Sequence, residues 1–214
     1  MATMEGLTID TPRGQARAHV SLPDRAATPG AAVALILGHG AGGGITAPDI
    51  QGAASAALAG GFAVALVEQP YRVLGRRAPA PPAHLDDAWR SVIDQLRDAS
   101  LAGMAVVTGG RSMGARVACR TADATGSVGV LCLAFPLQPP HRRGAAAPAP
   151  SRLPELDAVT VPTLVIQGRS DRFGIPPEGP LRTVVQVAGD HGLKSDLAGV
   201  RAAAAEWLAR LPSG

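Results

Sequence analysis

Short apolar runs alternate with longer amphipathic stretches along this chain, and that alternation limits the fold more than any other feature. Ala32 to Leu37 is a continuous aliphatic run closed by Gly38, Phe62 to Val67 follows Gly60–Gly61, and Met104 to Thr108 stops at Gly109–Gly110. Runs of this length without polar alternation read as strands buried on both faces. A helical pattern starts at Pro48, with Ile50, Ala54 and Leu58 on one face, and residues 84–98 set Leu85, Trp89, Val92 and Leu96 at helical spacing. A helix from about Ala115 to Ala122 follows, then strands Val128 to Ala134, Thr163 to Gln167 and Thr183 to Val187. The last helix, about Ser195 to Leu211, carries Leu197, Val200, Ala204, Trp207, Leu208 and Leu211 in one stripe. Leu7 to Asp10 and Ala16 to Leu22 add two short strands around a Pro12–Gly14 turn. Alternating β and α units predict an α/β fold, a mostly parallel sheet of about seven to eight strands with helices on both faces. A length of 214 residues suits a single domain over 1–214. The stretch Pro136 to Pro154 holds six prolines and reads as a surface loop, because the alternation resumes behind it. That leaves no sizeable insertion for a large cap domain and predicts a shallow or open pocket.

Charge and cysteine content exclude several function classes. Lys+Arg 20 against Asp+Glu 17 leaves a net charge of +3, too balanced for a nucleic-acid footprint. Two cysteines, Cys119 and Cys132, make neither a disulfide scaffold nor a cysteine-rich metal site, and both read as small core residues. No His-x-x-x-His or Cys-x-x-Cys spacing exists, so no metal is expected. The apolar runs are far below the roughly 20 residues that span a bilayer. Glu5 and Asp10 interrupt the first residues, which show no signal peptide. The expectation is a cytoplasmic protein without membrane or nucleic-acid partners.

In open α/β sheets ligands sit outside the carboxyl ends of the strands, and the motifs of this chain fall there. Gly110-Arg111-Ser112-Met113-Gly114 matches Gly-x-Ser-x-Gly between a strand and a helix, the setting of a nucleophile elbow. A neutral serine needs a base within hydrogen-bond reach. His191, in Gly189-Asp190-His191-Gly192, follows the strand Thr183 to Val187, and Asp171, in Gln167-Gly168-Arg169-Ser170-Asp171, follows Thr163 to Gln167. The chain order Ser112, Asp171, His191 is the Ser–acid–His order of this kind of site. Asp190 competes as the acid, but its place beside His191 suits a turn-shaping role. Gly38-His39-Gly40-Ala41-Gly42-Gly43-Gly44 follows the first buried strand and offers backbone N–H groups to a developing oxyanion. The two donors would be Met113 and Ala41, with Gly42 the alternative to Ala41.

The blocks 38–43, 109–116, 167–174 and 189–194 resemble the small KANL/Tex-type α/β-hydrolase family, itself distantly similar to dienelactone hydrolases. The resemblance covers the chain from about residue 15 onward. It implies an α/β-hydrolase core without a large cap, with Ser112, Asp171 and His191 at the triad positions. Dienelactone hydrolases usually carry cysteine where this chain has Ser112, so their lactone chemistry is not implied. Some relatives serve as complex subunits rather than enzymes.

The other residues near these motifs carry two readings each. His39 is the rival base, but its place in the glycine-rich loop favours a structural or substrate-orienting role. His19 and His84 read as surface residues, and His141 lies in the proline-rich loop. Arg72, Arg76 and Arg77 follow the strand Phe62 to Val67, either recognising an acidic substrate group or forming a solvated face. Arg111 either braces the elbow or contacts substrate. The spacing Gly38-x-Gly40-x-x-Gly43 matches a dinucleotide fingerprint formally. Its helix starts too late, at about Pro48, and Glu68 stands 25 residues after Gly43, so no nucleotide cofactor is expected. The favoured expectation is a cofactor-free serine hydrolase of a small ester, thioester or related acyl compound. Its alternatives are a non-catalytic binding or assembly protein, and acyl transfer to an acceptor other than water.

Overall fold

Strands without a polar face need cover on both sides, and the helices supply it. The computed structural model describes residues 4–23, 32–139, 147 and 149–211. One sheet contains β1 (Met4–Thr11), β2 (Gly14–Ser21), β3 (Val33–Gly38), β4 (Ala63–Glu68), β5 (Ala105–Arg111), β6 (Gly129–Leu133), β7 (Thr163–Gly168) and β8 (Arg182–Val187). Their lateral order is β1-β2-β4-β3-β5-β6-β7-β8. The pairs β1–β2 and β2–β4 are antiparallel, and all the others are parallel.

The helices are α1 (Pro48–Ala59), α2 (Pro70–Val73), α3 (Pro82–Asp98), α4 (Met113–Thr121), α5 (Leu153–Asp157) and α6 (Leu197–Leu208). On one face α1 and α6 close over Leu35, Leu37, Leu131, Leu133, Leu164 and Ile166. On the other, α3 sets Leu85, Trp89, Val92 and Leu96 against Ala34, Ile36 and Ala65. Beside it α4 and α5 cover Val130, Cys132 and Val165. Alternate residues of β3 therefore feed opposite cores, as a period of two demands. Each large aliphatic or aromatic side chain buried this way contributes roughly 1.5–3 kcal/mol. Cys119 and Cys132 are both buried, their sulfurs 3.5 Å apart.

The boundaries differ from the sequence expectation at instructive places. β5 runs through Gly109 and Gly110 to Arg111, and α4 starts at Met113 rather than Ala115. The glycines are not a turn: a Cβ at Gly109 would collide with the Leu131 carbonyl, and one at Gly110 would stand 2.5 Å from Gly38 O. They sit in the strand because neighbouring backbone leaves no room for a side chain. The helix expected over 84–98 starts at Pro82, with proline in the first turn. The last helix is shorter than expected at both ends. The short helices α2 and α5 were not anticipated, and α5 takes the end of the proline-rich stretch expected as loop. Residues 140–146 and 148 of that stretch, including His141, lie outside the described residues. His19 is half-buried rather than on the surface, pairing with Glu68 at 3.2 Å. No cap domain stands over the sheet, and no helix is long and apolar enough to cross a membrane, among the described residues.

Candidate active site

Ser112 is the whole connection between β5 and α4. Its backbone sits at φ 53°, ψ −104°, a region that costs a non-glycine residue on the order of 1–3 kcal/mol. The surroundings hold it there. Ser112 N–H donates to Leu133 O at 2.8 Å and its carbonyl accepts from Arg116 N–H at 3.2 Å. The flanking Gly110 and Gly114 let strand, helix and β3 meet: a Cβ on Gly114 would stand 2.6 Å from Gly38 O.

Two further strands bring their end loops to this point. Ser112 Oγ lies 2.9 Å from His191 Nε2, and His191 Nδ1 lies 2.8 Å from Asp171 Oδ2. A hydroxyl donating to Nε2 and an Nδ1–H donating to the carboxylate satisfy both contacts with one neutral tautomer. Asp171 and not Asp190 therefore holds the imidazole; Asp190 Oδ1 accepts from Gly192 N–H, shaping the turn. The Asp171 side chain is fully buried and that of His191 is 19% exposed, so the ring remains open to solvent on one side. Asp171 also accepts from Gln167 Nε2 at 2.7 Å and from Phe173 N–H at 2.9 Å. The Phe173 ring lies against the imidazole, with centroids 4.4 Å apart.

The glycine-rich loop after β3 is clamped from beneath. His39 is fully buried; its Nδ1–H donates to Gly40 O at 2.8 Å, and its Nε2 accepts from Gln69 N–H at 3.1 Å. Burial, first among its influences, lowers the His39 pKa, and a neutral ring suits both bonds. The Tyr71 hydroxyl donates to Ala41 O at 3.1 Å. Carbonyl and N–H of a trans peptide point in opposite directions. Anchoring Gly40 O therefore turns the Ala41 N–H outward, and anchoring Ala41 O does the same for Gly42. Met113 opens α4, where a backbone N–H has no partner inside the helix.

His39 thus has no free nitrogen for a ligand and lies under the loop rather than on its surface. Arg111 is engaged with protein groups: Nε is 2.9 Å from Asp49 Oδ2, and Nη2 donates to His191 O at 2.9 Å. Arg72 is half-buried in α2, while Arg76 and Arg77 are exposed in the loop behind it. Sequence reasoning missed Gln167 as a partner of Asp171, and Asp49, Tyr71 and Phe173 altogether. Nothing in their local pattern separates them from core or loop residues.

A largely parallel sheet with a serine forming a one-residue strand–helix junction, facing a histidine and an acid from later loops, defines the α/β-hydrolase class. A family model described as alpha/beta hydrolase domain matches residues 31–197, and the chain belongs to that family. Among solved structures it is similar to XC6422 from Xanthomonas campestris, described as an α/β serine hydrolase without lid, at 24% identity over 98% of this chain and 95% of that one, TM-score 0.73. Est1E from Butyrivibrio proteoclasticus is 14% identical over 96% and 98% of the two chains, TM-score 0.77. A dienelactone hydrolase from Anabaena variabilis is 15% identical over 98% of each chain, TM-score 0.73. Comparison with curated proteins finds no significant match.

Proposed function

We propose that this chain is a serine hydrolase of small esters, thioesters or related acyl compounds. The observation that carries the reading is the unbroken line from Ser112 Oγ through His191 to Asp171, with bonds of 2.9 Å and 2.8 Å. His191 takes the serine proton as Oγ attacks the acyl carbon, then returns it to the leaving group. Asp171 holds the imidazole tautomer and stabilises the transient imidazolium. The N–H groups of Met113 and of Ala41 or Gly42 bind the developing oxyanion. Water then attacks the acyl-enzyme with His191 again as base, releasing the acid and regenerating Ser112. The absence of a cap among the described residues favours compact acyl groups over long chains that need burial. Similarity to a serine hydrolase and to Est1E, for which a complex with ferulic acid is known, agrees with this class.

A fluorophosphonate probe and a chain-length series of nitrophenyl esters test the proposal. The wild type is expected to label and turn over short esters, and S112A to lose both by several orders of magnitude while keeping its fold. A folded wild type that neither labels nor hydrolyses any ester would leave a binding or assembly role instead. Added alcohols or amines that divert product from the acid would reveal acyl transfer.

A further inference from the structure

A second charged pair lies beside the elbow. Asp49, in the first turn of α1, has a side chain only 1% exposed, and neither of its oxygens has a well-aligned hydrogen bond. What compensates it is charge, with Arg111 Nε 2.9 Å from Oδ2. Burial pushes the Asp49 carboxyl above its ordinary range, and the Arg111 charge followed by nearby backbone N–H groups pulls it back. An ion pair in such a place is weak support for a fold, since apolar residues of similar volume commonly serve stability as well or better.

The reach of Arg111 gives the pair another purpose. Its backbone ends β5 and leads directly into Ser112. Its Nη2 donates to the carbonyl of His191 at 2.9 Å. Its Nη1 occupies the space beside Gly40, where a Cβ would stand 2.9 Å away. One planar guanidinium therefore meets the loop carrying the imidazole and the loop carrying Ala41, with the Asp49 carboxylate as counter-charge against its Nε. A lysine ammonium, a point charge on a flexible stem, has no such rigid fork.

The geometry points to Asp49 and Arg111 as a positioning pair that sets the His191 imidazole and the Gly40 turn relative to Ser112. This rests on the serine-hydrolase reading, and within it Arg111 acts through His191 rather than on substrate. Asp49 acts one step further back, through Arg111.

The test compares R111M, R111K, D49L and the double variant D49L/R111M, using nitrophenyl acetate turnover, thermal melting and the proton NMR signal of the His191 Nδ1–H. R111M and D49L are expected to lower kcat on the order of tenfold to a hundredfold with KM nearly unchanged. R111K should recover part of the loss. In the double variant, which removes both charges together, melting should return toward the wild type while kcat stays low. The downfield Nδ1–H signal should shift or broaden in each Arg111 variant. If R111M alone does not fold, the double variant and R111K carry the same comparison. Wild-type kcat in folded R111M, or kcat returning together with melting temperature in the double variant, would overturn the proposal. So would an unchanged imidazole signal, which is read without turnover. An inactive, unlabelled wild type therefore sinks the hydrolase reading, while the signal still decides this one.

Discussion

Gln167 Nε2 donates at 2.7 Å to Asp171 Oδ2, the same oxygen that faces His191 Nδ1 at 2.8 Å. The amide also reaches the carbonyls of Phe135 and Gly174, so it joins the end of β7 to the loops around the carboxylate. Q167L would leave these buried acceptors short of a donor and remove one of the three hydrogen bonds that hold the carboxylate, leaving those from Phe173 N–H and His191. The expected cost is about 1–3 kcal/mol of stability, read as a lower urea midpoint at unchanged slope. Turnover should fall on the order of tenfold or more, since small misplacements at a reacting centre are amplified. A Q167L protein with the wild-type midpoint would show that these Gln167 hydrogen bonds add nothing to stability.

His39 makes stability depend on pH in a definite direction. Its folded-state pKa is lowered, chiefly by burial, with the Gly40 carbonyl opposing. An unfolded histidine titrates near about 6.5, so below that pH the unfolded chain binds a proton that the folded one resists. The His39 contribution is therefore complete above about pH 6.5 and is lost as pH falls from there through the folded-state value, at a slope of at most about 1.4 kcal/mol per pH unit. Unfolding free energies of wild type and H39Q, measured from neutral pH down to about pH 5, should show a shallower slope for H39Q. Equal slopes would mean that the folded ring accepts the proton freely.

Glycines in the site region should respond to alanine in opposite ways. A Cβ at Gly114 would stand 2.6 Å from Gly38 O and 2.7 Å from its carbonyl carbon, backbone against backbone, whereas a Cβ at Gly43 meets nothing within 4 Å. G114A should cost about 3 kcal/mol or prevent folding, and G43A should stay within about 0.5 kcal/mol of the wild type. Thermal unfolding of both proteins measures the contrast. Comparable losses would mean that the elbow tolerates separation of α4 from β3.

The parts of the site that were legible in the sequence share one property: each follows a strand whose apolar run announces it. Ser112, Asp171 and His191 come together because parallel strands deliver their end loops to one rim of the sheet. Asp49 and Gln167 gave no such signal, since one sits inside a helix and the other inside a strand, and their roles exist only through partners distant in sequence. The end of β5 was misread for a related reason. Gly109 and Gly110 look like a break in isolation, and only the proximity of Leu131 and Gly38 explains glycine there. The helices α2 and α5 are too short for a periodic pattern to develop.

Because Ser112 alone separates β5 from α4, that junction has no slack. One inserted residue would rotate the helix by roughly 100° about its axis, swinging Ala115 and Ala118 away from β6 and carrying the hydroxyl off its target. Length changes in this scaffold should therefore be accepted in the loops after β4 and β6 and refused at the strand–serine–helix joint.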